Sequence, residues 1–197
     1  MKAVVVDLCG TLILENTTHG LFGALPFSPH IALRNRLWKS RLGHLVNSIV
    51  GKDVAREELM RSLRGWPREA LEGYAKTYVH DVLERKTSPL VRRGLADARE
   101  EGALIYLATS SLEPIAAAIV EAFSLDGYVA STLEFDPGGR CTGKLASDIT
   151  GIKWSKLRER FPAIQDAEIT VYTDNPEDTD LKDIACHFHF MNEQSSS

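Results

Sequence analysis

Cysteine is scarce: the 197 residues hold three, Cys9, Cys141 and Cys186, far apart and in no C-x-x-C pair. This excludes an even disulfide framework and the common zinc-binding spacings, and it fits a reducing, cytoplasmic setting. No apolar run approaches the roughly 18 residues that a membrane span requires. The apolar amino-terminal run is interrupted by Asp7, which makes it a poor secretory signal. A basic excess is missing too, since 23 Lys and Arg face 27 Asp and Glu for a net charge of -4. Neither a membrane nor nucleic acid is therefore an expected partner. There are no internal repeats, and low complexity is confined to Glu193-Gln194-Ser195-Ser196-Ser197, read as a disordered tail over 193–197. What is present is 44% apolar and 25% charged, the make-up of a globular chain with a real core. Oligomeric state is not legible.

Strand and helix signals alternate along the chain, with one long interruption. A β-branched run covers Lys2 to Leu8. From Ser28 to about Lys86 the pattern is helical throughout. Ser28-Pro29 forms a cap and first turn, and an apolar stripe follows through Ile31, Leu33, Leu37, Leu42, Leu45, Val46 and Ile49. A second helix starts near Asp53, and a third follows the Gly65-Trp66-Pro67 break. Alternation then resumes. A helix opens at Ser88-Pro89, a strand spans Ala103–Ala108, a helix spans Glu113–Phe123, and a short strand spans Gly127–Ala130. Thr132–Phe135 and Arg140–Leu145 read as a hairpin around Asp136-Pro137-Gly138-Gly139. A helix over Ile152–Phe161, a strand over Glu168–Tyr172, a helix from Pro176 and a strand over His187–Met191 complete the set. The pattern predicts an α/β fold, a doubly wound parallel sheet with an all-helical insert. The core is expected over 1–15 and 87–192 and the insert over 16–86, with hinges near Glu15-Asn16 and Arg85–Ser88.

The run Ala3-Val4-Val5-Val6-Asp7-Leu8-Cys9-Gly10-Thr11 delivers one carboxylate to a strand end, where a tight turn leaves the approach open. Three further segments belong at strand ends or first helical turns of such a fold. They are Ala108-Thr109-Ser110-Ser111, Ile152-Lys153-Trp154-Ser155-Lys156 and Thr173-Asp174-Asn175-Pro176-Glu177-Asp178. In order, spacing and strand context these four motifs resemble the haloacid dehalogenase-like superfamily. The likeness is nearest to its phosphoserine phosphatase-like branch, which carries a helical cap after the first motif, and it covers nearly the whole chain.

The resemblance implies a Mg²⁺-dependent hydrolase of small phosphorylated metabolites that passes through an aspartyl phosphate. Asp7 is then the nucleophile, and a carboxylate that attacks phosphorus splits a very slow reaction into two easier displacements. Two anions need a hard cation between them. The expected metal donors are Asp7, the backbone carbonyl of Cys9 and Asp174, with Asp178 binding directly or orienting a ligand. Thr109, with Ser110 beside it, would donate to phosphoryl oxygens, and Lys153 would neutralise charge on nucleophile and phosphate. Lys156 is the runner-up for the lysine role. Taken singly, each residue has a plainer explanation: a turn cap for Asp7, helix caps for Thr109 and Ser110, a solvated charge for either lysine, and dipole complementarity for Asp178 or Asp180. Cys186-His187-Phe188-His189 reads as a strand with two histidines on one face, and the large apolar residues of the insert as core. Arg34, Arg36, Lys39 and Arg41 read as an outer solvated face or as a rim for an anionic substrate.

One position departs from the resembled pattern. Most phosphatases of that superfamily carry a second aspartate two residues after the nucleophile, to protonate the leaving alcohol and later activate water. Cys9 stands there instead. A thiol is a weak donor and a poor proton acceptor, and losing a placed general acid and base costs about 10²–10⁴ in rate. Three readings stay open. One is a phosphatase for easily expelled leaving groups, or one using Glu15, His19 or His30 as donor. The second is carbon–phosphorus or carbon–halogen cleavage, although the metal-free dehalogenase chemistry fits poorly with Asp174 and Asp178. The third is a phosphate-binding or regulatory protein without turnover. A cysteine nucleophile is excluded by the lack of a suitably spaced arginine after Cys9, while an oxidation-sensitive thiol is a further option. The family's substrate-gripping glutamate has no residue in strict register, Glu15 being displaced by one place.

Overall fold

The computed structural model describes residues 1–26, 33 and 52–191. Its centre is β1 (Lys2–Val6), paired in parallel with β2 (Leu104–Leu112) on one side and β5 (Glu168–Thr173) on the other. β3 (Gly127–Phe135) extends the sheet in parallel beyond β2, and β6 (His187–Phe190) does so beyond β5. β4 (Cys141–Ser147) closes one edge as the antiparallel partner of β3, giving the order β4-β3-β2-β1-β5-β6.

The valine run explains why β1 is central. Alternate side chains leave a strand on opposite faces. Val4 and Val6 enter one core while Ala3 and Val5 enter another, so a continuous apolar run is what a strand covered on both faces needs. Each buried valine contributes about 1.5–3 kcal/mol by transfer from water. The first core collects Leu21 and Phe22 from α1 (Thr17–Ala24) and Leu59 and Met60 from α2 (Lys52–Ser62). It also takes Leu71 and Val79 from α3 (Arg68–Lys86), Val91 from α4 (Pro89–Glu100) and Ile115 from α5 (Glu113–Phe123). The second core takes Leu157 from α6 (Lys153–Arg160), Ile164 from a 3₁₀ turn over Pro162–Asp166, and Leu181 from α7 (Thr179–Lys182). The architecture is the expected doubly wound α/β sheet with helices on both faces.

Ile13 and Thr87, which bracket α1, α2 and α3 in the chain, form an isolated antiparallel bridge. Leu14 N–H donates to the Lys86 carbonyl at 2.8 Å, and Ser88 N–H donates to the Leu12 carbonyl at 2.9 Å. The intervening α1 packs closely on α3. A Cβ on Gly20 would lie 2.1 Å from the Tyr78 hydroxyl oxygen, so only glycine fits there.

Several elements differ from the sequence reading. β2 does not stop at Ala108 but runs through Thr109, Ser110 and Ser111 to Leu112. Leu112, with no side-chain cap bond, occupies the N-cap of α5, so Thr109 and Ser110 are strand residues and not helix caps. The two short strands read over 127–130 and 132–135 are one strand, β3, because it serves a parallel partner first and an antiparallel one after a register shift. The short helix α1, capped by the Asn16 side chain on His19 N–H, went unread. Leu33, placed in the apolar stripe, is exposed. The remaining stripe positions (Ile31, Leu37, Leu42, Leu45, Val46 and Ile49), His30, the basic residues Arg34, Arg36, Lys39 and Arg41, and the 193–197 tail lie outside the described residues.

Candidate active site

Asp7 follows β1 directly, with its N–H bonded to the Tyr172 carbonyl at 2.9 Å. The turn closes behind it: Leu12 N–H reaches the Asp7 carbonyl and Ile13 N–H the Leu8 carbonyl. Gly10 sits at φ +74°, and a Cβ there would fall 1.9 Å from Asp174 Oδ2. The glycine is therefore required twice, by its left-handed backbone and by the carboxylate that fills the place of a side chain. Thr11 ties the first and last motifs together. Its hydroxyl donates to Asp174 Oδ1 at 3.0 Å and accepts the Asp174 N–H at 2.9 Å.

On one side of Asp7 lies a buried charge cluster. Lys153, the first residue of α6, places Nζ 2.8 Å from Asp7 Oδ1 and 2.7 Å from Asp178 Oδ2, and all three side chains are buried. Thr173, at the end of β5, donates to the same Asp178 oxygen at 2.7 Å. Burial alone would lower the Lys153 pKa, but the Asp7 and Asp178 carboxylates outweigh it and hold the ammonium above its ordinary value. Burial pushes the Asp7 carboxyl up to about 6 even though Lys153 pulls it down. Burial raises Asp174 as well, against the Thr11 hydrogen bond. Lys156, the alternative lysine, points away and pairs with Glu159 at 2.7 Å on the surface.

On the other side of Asp7 the groups are neutral. Cys9 Sγ lies 3.1 Å from both Thr17 Oγ1 and Ser111 Oγ and accepts the Thr17 N–H at 3.3 Å. The two hydroxyls are themselves 2.9 Å apart. Burial, and then the Asp7 charge, raise the Cys9 pKa. That shift disfavours the thiolate, the form that oxidation requires. Thr109 is buried, and its hydroxyl oxygen accepts the Ser111 N–H at 3.1 Å. Glu15 accepts the Tyr78 hydroxyl at 2.5 Å.

The donors available to a cation are oxygens. Asp7 and Asp174 supply carboxylates, and the Cys9 carbonyl belongs to the same turn. Asp178 is differently occupied: Oδ2 serves Lys153 and Thr173, and Asn175 Nδ2 lies 3.4 Å from Oδ1. In this geometry it contacts Lys153 directly. Among the described residues no group of three His, Cys, Asp or Glu side chains could hold a metal ion. His187 lies 3.6 Å from Glu168, and His189 stacks on Tyr172 with ring centres 4.6 Å apart.

Sequence reasoning missed the residues that brace the site. Thr11, Ser111 and Thr173 lie within the motifs read from the sequence, which gives them no part there, and Thr17 lies outside the motifs; tertiary contact reveals what each one braces. Asp180 accepts the Trp154 N–H at 2.8 Å, so it caps α6, the lysine's helix, and not its own. Arg56 also reaches the site's edge, where it donates to the Ser110 carbonyl at 2.7 Å.

A carboxylate at the end of the central strand, a lysine buried against it and a second acid across the turn define a hydrolase of the doubly wound α/β kind. A family model described as haloacid dehalogenase-like hydrolase matches residues 4–181, and the chain belongs to that family. A search of curated proteins gives no match. Among solved structures, a protein with unknown function from Bordetella pertussis Tohama I is 18% identical. The match covers 95% of this chain and 88% of that one, with a TM-score of 0.77. A phosphoserine phosphatase in apo form is 13% identical over 97% of this chain and 94% of that one, with a TM-score of 0.63. A phosphoserine phosphohydrolase-like protein from Francisella tularensis subsp. tularensis SCHU S4 is 14% identical, with 95% and 86% covered and a TM-score of 0.63. At these identities the likeness is one of fold. Among the described residues, no helix is long and apolar enough to cross a membrane.

Proposed function

We propose that the chain is a Mg²⁺-dependent phosphatase of small phosphorylated metabolites that works through an acyl phosphate on Asp7. The observation that carries this reading is the fully buried Lys153 lying 2.8 Å from the Asp7 carboxylate, a cation shielded from solvent beside a nucleophile. A surface lysine would gain little there, whereas a desolvated one acts at close to full strength on developing phosphoryl charge. Asp7 and Asp174, with the Cys9 carbonyl, fit a hard divalent cation because all three donors are oxygens. The space that Gly10 leaves for Asp174 Oδ2 fits the same assignment. When bound, Mg²⁺ would supply Lewis-acid neutralisation of the phosphoryl oxygens.

The chain's own residues account for the rest. An Asp7 oxygen attacks phosphorus while the bond to the leaving oxygen breaks, and water then attacks the phosphorus of the acyl phosphate to release phosphate and free Asp7. Asp178 and Thr173 hold Lys153 in place for both displacements. Thr109 donates its hydroxyl to a phosphoryl oxygen. The Cys9 thiol neither protonates the departing group well nor deprotonates water. The favoured substrates are therefore aryl or acyl phosphates, whose leaving groups need no proton. The insert, 16–86, acts as a cap over the 1–15 and 87–192 core and shelters the crevice from water. The three unpaired thiols support a reducing, cytoplasmic location.

The test is a panel of phosphorylated metabolites and aryl phosphates, assayed with and without Mg²⁺, with Asp7→Asn as control. Mg²⁺-dependent release that is faster for aryl than for alkyl esters is expected. Equal rates for both would sink the missing-acid argument, and no Mg²⁺-dependent release would sink the phosphatase. The neutral Cys9–Thr17–Ser111 cluster favours a second reading, a phosphate-binding member that has lost turnover. Vanadate capture by Asp7 without hydrolysis of any ester would establish that alternative.

A further inference from the structure

Arg56 belongs to the inserted segment, on α2, yet its guanidinium is bonded to the core. One nitrogen donates to Asp148 Oδ2 at 2.6 Å and to Thr150 Oγ1 at 3.2 Å. The other donates to the Ser110 carbonyl at 2.7 Å and to Ser131 Oγ at 3.1 Å. Asp148 is itself oriented by the Thr150 N–H at 3.0 Å and the Thr150 hydroxyl at 2.7 Å. The charge of Arg56 is thus matched by an acid of the core.

The bond to Ser110 differs from the others in what it controls. The peptide that carries the Ser110 carbonyl also carries the Ser111 N–H, and that N–H donates to Thr109 Oγ1 at 3.1 Å. A peptide unit is planar, so fixing the direction of its carbonyl fixes the direction of its N–H. A threonine oxygen that accepts this N–H turns its own proton elsewhere, because the hydroxyl has one hydrogen to place. Arg56 holds one end of the peptide and Thr109 takes the other.

We infer that Arg56 is a positioning residue: by clamping the Ser110–Ser111 peptide it aims the Thr109 hydroxyl at the phosphoryl oxygen. The inference rests on the phosphatase reading given above. It makes the phosphate site complete only while α2 is docked, so the insert contributes to phosphoryl binding without touching the phosphate. An arginine suits the task because its rigid fork bridges a carbonyl and a carboxylate at once, whereas lysine supplies a single point of donation.

The test compares Arg56→Met, Arg56→Lys, Asp148→Asn and Thr109→Val, alone and combined, in the full chain with Mg²⁺. Orthovanadate affinity, kcat and KM for p-nitrophenyl phosphate, and amide exchange at Ser111 are measured. Arg56→Met should weaken vanadate binding and lower kcat/KM about tenfold or more, the scale of a misplaced binding group. It should also speed exchange at Ser111. Arg56→Lys should recover part of the loss, since it can still reach the carbonyl. Asp148→Asn, which keeps the Ser110 bond, should cost severalfold less than Arg56→Met. In the Thr109→Val background Arg56→Met should add almost nothing, because its effect passes through the missing hydroxyl. Additive losses, or an Asp148→Asn loss equal to that of Arg56→Met, would show that Arg56 merely fastens the insert and would overturn the inference. A wild type that captures no vanadate overturns the phosphatase reading, and this inference with it. Wild-type capture that Arg56→Met retains at full strength overturns this inference alone.

Discussion

The two flanks of Asp7 are built from different chemistry. Toward α6 stands a buried lysine shared by two carboxylates, with a threonine on one of them, all in contact at 2.7–2.8 Å. Toward α1 stands a thiol between two hydroxyls, with no charge among them. On the proposed reading the first flank serves phosphoryl binding, its lysine acting together with a bound cation. The second lacks what is needed to move a proton. Attack and charge neutralisation on one side can therefore be altered separately from proton transfer on the other.

The comparison can be broken most severely at its shared centre. Asp7→Asn should abolish acyl-phosphate formation, lowering turnover on the order of 10⁴-fold or more, and rapid-quench labelling with radioactive phosphate checks this. If labelling persists, another residue is the nucleophile and the contrast between the flanks loses its meaning. On the charged flank, Lys153→Met leaves Asp7 and Asp178 buried as like charges. It should destabilise the fold by about 3–5 kcal/mol and reduce activity about 10²–10³-fold, as read by urea melts and initial rates. A smaller effect on stability would mean that water enters where the lysine was.

On the neutral flank, Cys9→Asp should raise turnover of alkyl phosphates by up to about 10²-fold while leaving aryl phosphates nearly unchanged. That selective gain sharpens the comparison, because only the proton-dependent substrates respond. The gentlest probe is pH in the metal-free protein. Asp7 titrates near 6, above its ordinary 3.8, because burial disfavours its charge. The stability linked to its protonated form is present in full below about 3.8 and is lost as pH rises through about 6. Thermal melts should show a steeper decline in the wild type than in Asp7→Asn, where Asp174 is the raised carboxyl that remains. A wild-type profile that stays flat over that range would place Asp7 in a wetter site than the one described.

How much of this is legible in the sequence depends on the range of the interaction. The valine run announced a strand buried on both faces, and Glu113–Phe123 was read with the bounds that α5 has. Asp7 and Lys153 were legible because their motifs are local, each tied to a strand end or a helix start. The sequence cuts β2 short because Thr109, Ser110 and Ser111 look like loop residues, although β2 pairs with β3 at Thr109 and again at Leu112, on either side of a bulge. α1 was missed for a similar reason, since Thr-Thr-His-Gly carries little helical propensity and the helix is held by Asn16 and by packing on α3. Arg56 was beyond reach, as its partners lie 54 to 94 positions away. No local pattern marks a side chain whose purpose is to hold a peptide so distant.

The paired bonds at Leu14–Lys86 and Ser88–Leu12 carry a wider consequence. Because entry and exit lie side by side, everything between them forms a closed excursion whose length is immaterial to strand registry. Lengthening a loop adds only a slowly growing closure entropy. Changes of length within that excursion, outside the helices that pack on Val4 and Val6, therefore leave the registry of the strand that carries Asp7 unaltered.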